Sequence, residues 1–433
     1  MRLPLLTWVL TRAVLLLTVF GVWRLRGPDV TSDVSVIYQG WAQVLRGGSY
    51  PLDDVSWQYP PGAALPVLAP DLLPFLAYPA AFFVLACATD ALVLALLLRA
   101  VRGRARRGSS LAGAWLWVAG VPLLGPTVYA RYDLMVTALA VGALLAAVRR
   151  PRLAGALAGL GALVKVWPVL LLAGARWDRW GARLAGSAVV AAAGCAAVLS
   201  LARPGGWDFL TAQRDRGVEV ESLGALVLHV ARGFGWPGEV RLHYGSMEFL
   251  GPQVDMVATG SLLLTVAAFG WLVWWRLRAH TWGPSTLADA ALAAVLLFTV
   301  TSRVLSPQYL VWLVGLAAVC LTLRSRHQRW PALLVAAAVP VTLLEFPVFF
   351  DAVVTSQPLG VALLVVRNGL LVAAAVLSCA GLWRTTVSGA AGARDAAGVG
   401  VHRAGAGGAP GGGAVGAPGE GAGGGALRAG SRH

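Results

Sequence analysis

The sequence predicts an all-α, polytopic integral membrane protein with about 10–12 membrane helices, and three observations carry that expectation. Of its 433 residues, 58% are hydrophobic and 13% are charged, whereas a soluble domain carries about a quarter charged residues. Apolar runs of roughly 18 to 25 residues recur along the chain, each long enough to cross a hydrocarbon core about 30 Å thick. Arginine clusters and acidic loops alternate between those runs, which is the signature of positive-inside orientation.

The first apolar run, Pro4 to Trp23, follows a lone Arg2 and leads into Arg24 and Arg26 with no small-residue cleavage site. It reads as a retained first helix. The further helices expected are 75–98, 111–127, 132–148, a broken pair within 153–180, then 184–202, 254–275, 285–302, 308–323, 330–349 and 359–383. Residues 1–383 form the membrane-embedded domain. From Arg384 the chain turns to glycine and alanine with scattered arginine; lacking large apolar residues, 384–433 is expected to be a disordered cytoplasmic tail.

The formal charge of +15 suggests nucleic acid until its distribution is examined. Arg99, Arg102, Arg104, Arg106 and Arg107 form one cluster, and Arg149, Arg150 and Arg152 another. Arg176, Arg179 and Arg183, then Arg276 and Arg278, then Arg324, Arg326 and Arg329 complete the set. Each cluster occupies a short loop between apolar runs, so the partner implied is the bilayer and no nucleic acid is expected. Acidic residues concentrate in the alternate loops, 24–74 and 203–253, placed outside. Cys87, Cys195, Cys320 and Cys379 lie far apart in apolar runs and read as small buried hydrophobes. Neither the histidines nor the carboxylates show metal-ligand spacing, so no metal or cofactor is expected.

Within the first outer loop, SDVSVIYQGWAQVLRGG (32–48) reads as a short helix, capped by Ser32 and stopped by Gly47–Gly48. Val34, Ile37, Trp41, Val44 and Leu45 share one face, which suits a helix lying on the membrane surface. The chain's single lysine, Lys165, sits in GALVKVWPVLL. One crossing by 153–175 would place a basic cluster outside and invert every later loop. A hairpin that rises to Lys165, breaks at Pro168 and returns avoids this. Its backbone must be covered by protein or by a watery cavity.

Charges at membrane depth mark functional sites. The outward-facing set is Asp33, Arg131, Asp133, Lys165, Arg216, Glu219, Glu221 and Arg303. They fall in DVTSDVSVIYQGWAQVLRGGSYP, WQYPPGAA, ARYDLMVTAL, ALVKVWPVLL, QRDRGVEVESLGA and TSRVLSPQYLVWL. In this order the six phrases resemble the polyprenyl-phosphate-sugar-dependent glycosyltransferases of family 87, over roughly residues 5 to 383; RGVEVES and SRVLSPQY are the most distinctive. The resemblance implies a C-type multi-spanning fold and a polyprenyl-phosphate sugar donor. It implies transfer of a hexose, mannose by analogy, to a glycolipid or cell-envelope glycan outside the cytoplasmic membrane. It also implies a first-loop carboxylate as catalytic base. The matching position is Asp33, with Asp29, Asp53, Asp54 and Asp133 as alternates.

The chemistry requires a carboxylate to take a proton from the attacking hydroxyl, inverting the anomeric carbon, and cations to receive the departing phosphate. Arg131, Lys165, Arg216 and Arg303 fit the second role, and Gln308 and Tyr309 offer hydrogen bonds to sugar or phosphate. Tyr38, Trp41 and Trp57 are placed to stack on sugar faces. Blander readings stand beside these. Lys165 snorkels from a helix end, Asp33 caps a surface helix, and Asp133 pairs with Arg131. Glu219 and Glu221 pair with Arg214 or Arg216, Asp90 pairs with Arg367, and Tyr59-Pro60-Pro61-Gly62 is a rigid turn. The functional rival is a transporter or flippase for a lipid-linked sugar, since broken helices and midplane charges serve transporters too.

Overall fold

The computed structural model describes residues 2–103, 110–211 and 216–388. Arg104, Arg106, Arg107, Arg214, Asp215 and the glycine-rich stretch 389–433 lie outside the described residues. Contacts gather Met1–Gly389 into one unit. Among the described residues, six helices are long and apolar enough to cross a membrane: Arg2–Val19, Tyr78–Arg102, Arg179–Ala202, Val254–Arg278, Arg329–Val348 and Pro358–Ser388. Five shorter apolar helices, each of 10–17 residues, accompany them. The chain is a multi-pass, mostly helical membrane protein. The final helix runs on through a π-turn, Arg384–Ser388, into the stretch assigned to the tail.

We number the helices α1 (Arg2–Val19), α2 (Gln39–Arg46), α3 (Ala64–Leu68), α4 (Tyr78–Gly103), α5 (Ala112–Leu123), α6 (Asp133–Ala147) and α7 (Pro151–Val164). The rest are α8 (Arg179–Ala202), α9 (Ala225–Gly233), α10 (Val254–Arg278), α11 (Thr286–Thr301), α12 (Tyr309–Thr322), α13 (Arg329–Leu343), α14 (Phe350–Val354) and α15 (Pro358–Trp383). The short helices α5, α6, α7, α11 and α12 supply much of the buried core, with Trp117, Tyr129, Tyr132 and Trp312 among its largest side chains. Buried on most sides, they can be shorter than a bilayer span because neighbouring helices satisfy what lipid would not.

The hairpin forms as a helix followed by a 3-10 segment. α7 stops at Val164, Lys165 is extended (φ −153°, ψ 132°), and a 3-10 run covers Trp167–Gly174. Pro168 has no N–H to bond the carbonyl of Val164, so the α-helix cannot continue. Both ends of the hairpin lie at the same end of the protein. α8 follows α7 in parallel, with Gly155 packed on Leu184 and Gly159 on Ala188, and Arg276 donates to the carbonyl of Ala175 (2.6 Å). A Cβ on Gly155 would stand 1.9 Å from the Leu184 carbonyl oxygen, so only glycine admits this approach.

At the opposite end the first outer loop folds against the body. Asp33–Tyr38 is a π-turn running straight into α2. Ser32 does not cap it; its hydroxyl donates back to the Asp29 carbonyl (2.7 Å). Gly47 and Gly48 do end it, Gly48 with φ +89°. Val34, Tyr38, Trp41, Ala42 and Leu45 are buried, whereas Val44 is exposed. The apolar face is thus turned onto protein, a correction to the surface-lying helix expected for 32–48.

The second outer loop holds a small antiparallel sheet that the all-α expectation lacks. Its strands are β1 (Val218–Glu219), β2 (Glu239–His243) and β3 (Ser246–Leu250), in the order β1-β3-β2. Tyr244 (φ 49°) and Gly245 (φ 76°) form the two-residue turn between β2 and β3. Two consecutive positive φ values are what a tight hairpin requires.

Candidate active site

Lys165 sits at the tip of the hairpin inside an aromatic cage. Its Nζ is 2.7 Å from Asp133 Oδ1 and lies over the rings of Tyr59 (5.5 Å), Tyr132 (5.4 Å), Tyr309 (5.6 Å) and Trp312 (5.1 Å). Trp312 also donates its indole N–H to Asp133 (2.7 Å) and stacks with Tyr309 (4.0 Å, 20°) and Trp167 (5.0 Å, 21°). Asp133 is the first residue of α6, where a carboxylate faces the positive end of the helix dipole. The lysine side chain remains 12% exposed, against 2% for Asp133. A desolvated ammonium over several ring faces gains from each quadrupole. Gly62 allows the cage to close: a Cβ there would fall 2.7 Å from the carbonyl of Leu163, beside the lysine.

Asp33 opens the π-turn of the first loop and meets Arg131, which precedes α6 (Oδ2 to Nη2, 2.6 Å). Arg131 also donates to the carbonyls of Val30 and Ala130. Burial works against its charge, but Asp33, the nearby phenols and Asp133 outweigh that and leave its pKa raised. Arg131 therefore shares the field of the Lys165–Asp133 pair. The Tyr38 phenol is pushed well above its ordinary value by burial.

Arg216 holds the two outer loops together. Its guanidinium reaches Glu248 (2.6 Å), Ser246 (2.6 Å) and Gln58 (3.1 Å), and Gln58 donates onward to the carbonyl of Tyr244. The two most distinctive phrases touch. Glu219 N–H donates to the Arg303 carbonyl (3.0 Å), and Ser306 donates its hydroxyl proton to Glu219 Oε1 (2.7 Å). Arg303 lies close enough to Arg216 that its pKa is lowered, by burial first and then by that second positive charge. Tyr309 feels Glu219, Arg216, Asp133 and Tyr59 together. Gln308 precedes α12 at the same place and is half-buried. Asp33, Arg131, Asp133, Lys165, Arg216, Arg303, Gln308 and Tyr309 thus occupy one end of the molecule.

Several expected partnerships are different. Asp133 pairs with Lys165, and Arg131 with Asp33, in place of one Arg131–Asp133 pair. Asp90 pairs with Arg12 (2.7 Å) and also accepts from Trp8, Trp117 and Tyr129, while Arg367 pairs with Glu345 (3.0 Å). Arg216 takes Glu248 as its ion-pair partner, and Glu219 is held by Ser306. Glu221 is buried, and its backbone carbonyl accepts from Arg367 and Asn368. Tyr38, Trp41 and Trp57 pack on one another and on Tyr59 and Tyr132, 3–4% exposed, so they shape the site instead of offering stacking faces.

Among the alternates, Asp29 accepts from Thr31 N–H and hydroxyl and closes its own turn. Asp54 holds Trp41 and Ser56; burial opposes its charge, yet those hydrogen bonds leave its pKa lowered. Asp53 is exposed. The cage residues Tyr59, Tyr132 and Trp312 were present in the quoted phrases, and the i, i+3 spacing of Tyr309 and Trp312 was the signal for their shared face. Among the described residues, no cluster of three His, Cys, Asp or Glu is arranged to hold a metal.

Fold and site together define a multi-pass membrane protein with a cation-rich, aromatic-walled site at one end of its helices. Residues 57–302 match the model of glycosyltransferase family 87, and the chain belongs to that family. It is a membrane glycosyltransferase. No curated protein matches it. The crystal structure of ArnT from Cupriavidus metallidurans bound to undecaprenyl phosphate is similar at 17% identity and a TM-score of 0.41, over 88% of this chain and 77% of that one.

Proposed function

We propose that the protein transfers a hexose, mannose by family analogy, from a polyprenyl-phosphate donor to a glycolipid or cell-envelope glycan, with inversion, at the outer face of the cell membrane. Asp33 is the general base. The acceptor hydroxyl gives its proton to Asp33 as its oxygen bonds to the anomeric carbon. The bond from that carbon to the phosphate oxygen breaks, and the lipid phosphate leaves with the electron pair. Arg131, Lys165 and Arg303 receive the growing negative charge, and Arg216 keeps the two outer loops in register. Gln308 and Tyr309 orient sugar or phosphate.

One observation carries the reading. Asp33 is the only first-loop aspartate among the candidates whose carboxylate contacts a cation of the set, Arg131, at 2.6 Å, and it remains 29% exposed. The alternates Asp29 and Asp54 are committed to their own turns. The test is transfer from a radiolabelled polyprenyl-phosphate hexose in detergent, where transport has no meaning. Asp33→Asn should fold and lose about 10²–10⁴ in rate, the usual worth of a general base. Unchanged turnover would reject Asp33, and no product from the native protein with any polyprenyl-phosphate hexose would reject the donor class.

A further inference from the structure

Helix α9 is polar on its inner face and apolar on its outer one. His229 and Arg232, three residues apart, turn into the protein. His229 is buried and bonds the Val220 carbonyl (2.8 Å) and the Ser356 hydroxyl (2.7 Å), and Arg232 donates to the Val354 carbonyl (2.8 Å). Val227, Val230 and Phe234 share the opposite face and are 64%, 55% and 89% exposed. A helix whose outer face meets water shows the reverse pattern. We propose that 221–234 is a re-entrant segment of the outer leaflet, with α9 climbing back out through it and Val227 and Val230 lying against lipid acyl chains.

Depth selects lipid as the occupant. Gly224, at the start of α9, packs on α10: a Cβ there would lie 2.9 Å from the Ser261 hydroxyl and 3.0 Å from Val257. The Glu221 carbonyl accepts from Arg367 (2.6 Å) and Asn368 (3.3 Å) of α15. Ser261 lies seventeen residues from the exposed Arg278 at the basic end of α10, and Arg367 seventeen from the exposed Arg384 that follows α15. Each interval is about 25 Å at about 1.5 Å per residue. That is less than the roughly 30 Å of the hydrocarbon core, and helix tilt shortens it further. Leu262, Leu263 and Leu264 are exposed at the level of Ser261 on this candidate span, so α9 continues a surface that already faces lipid. Arg232, bonded to Val354 and Ser356 just before α15 begins, marks the way out. Irregular backbone at such depth needs partners within the protein. His229 supplies one to the Val220 carbonyl, and Arg367 and Asn368 supply two to that of Glu221. The proposal does not depend on Asp33 or on the donor.

The experiment places the photoreactive residue p-benzoylphenylalanine at Val227, Val230, Leu263 or Arg241, one position at a time, in the full chain held in phosphatidylcholine nanodiscs. Leu263 reports the span α10, and Arg241, 67% exposed in an ion pair with Glu239, reports water. All four side chains are exposed, so the substitutions should leave the fold intact. After illumination, alkaline hydrolysis leaves a fatty acid on the peptide if an acyl chain was attacked and glycerophosphocholine if the headgroup was, and mass spectrometry tells them apart. Positions 227 and 230 should carry the fatty acid at yields within about threefold of position 263, with position 241 at least about tenfold lower. Headgroup adducts alone at 227 and 230 would mean a helix resting on the membrane surface. No lipid adduct there, with position 263 labelled, would mean that the face meets water. Crosslinks between chains would give it to a second copy. Each of these three results overturns the assignment.

Discussion

Replacing Lys165 by methionine separates two roles that the structure lets one side chain play. The ammonium is the counter-ion of Asp133, and it is also the cation nearest the centre of the cage. Methionine keeps the stem and its packing but leaves the buried Asp133 carboxylate with the Trp312 N–H as its remaining side-chain donor among the described residues. Breaking a buried pair from one side costs about 3–5 kcal/mol, most of it the stranded charge. Each of the four ring contacts adds roughly 0.5–1 kcal/mol. Lys165→Met should therefore lower the Tm in detergent by several degrees. Lys165→Met with Asp133→Asn removes the stranded charge and should recover most of that loss. Transfer should not recover, because a missing cation at a departing phosphate costs about 10²–10³ in kcat whatever the fold's stability. The assay pairs thermal unfolding with sugar transfer for the two variants and the native protein. If the double variant regains activity along with Tm, Lys165 serves only to neutralise Asp133, and the reasoning fails.

Four further outcomes are expected. Arg216→Leu strands Glu248, which is fully buried, and should cost about 3–5 kcal/mol; adding Glu248→Gln should restore most of it in urea or thermal unfolding. Glu221 has its pKa raised well above the ordinary carboxyl value, by burial first and then by the neighbouring Glu345 and Glu219. A raised folded pKa means the folded state holds the proton more tightly, so this group's contribution is full below its unfolded pKa and is lost as pH rises above it. Glu221→Gln should accordingly gain Tm relative to the native protein as pH goes from about 5 to 8, and a gap that does not widen with pH would contradict the assignment. Gly155→Val drives a side chain into the Leu184 carbonyl and should destabilise by about 1–3 kcal/mol or more. Gly186→Ala, on α8 with open space around it, should be neutral or gain up to about 1 kcal/mol.

The helices were legible because apolar length is read directly from composition. The hairpin at 151–178 was legible from charge: two basic clusters flanking one run cannot both be inside unless the run turns back. Convergence of six separated phrases at one end followed from the same bookkeeping of sides. Partner choice did not follow, since it depends on helix rotation. Arg131 and Asp133 are two residues apart at the start of α6, where neighbours at that spacing point apart, so each finds its partner on another element. Asp90 and Arg367 sit in α4 and α15, and nothing in their runs says that Arg12 and Glu345 lie nearer. The sheet had a readable signal in EVRLHYGSMEFL, with its Tyr-Gly turn between alternating residues, but it was hidden in a loop treated as a connection.

The cage around residue 165 has a practical corollary. A reagent that acylates side-chain amines finds a single target in all 433 residues, and that target is 12% exposed behind rings. Side-chain amine modification is therefore confined to this one position, and its extent becomes a gauge of whether anything fills the chamber. The protein carries its own occupancy probe, and a bound phosphate would be read as protection without any label being introduced.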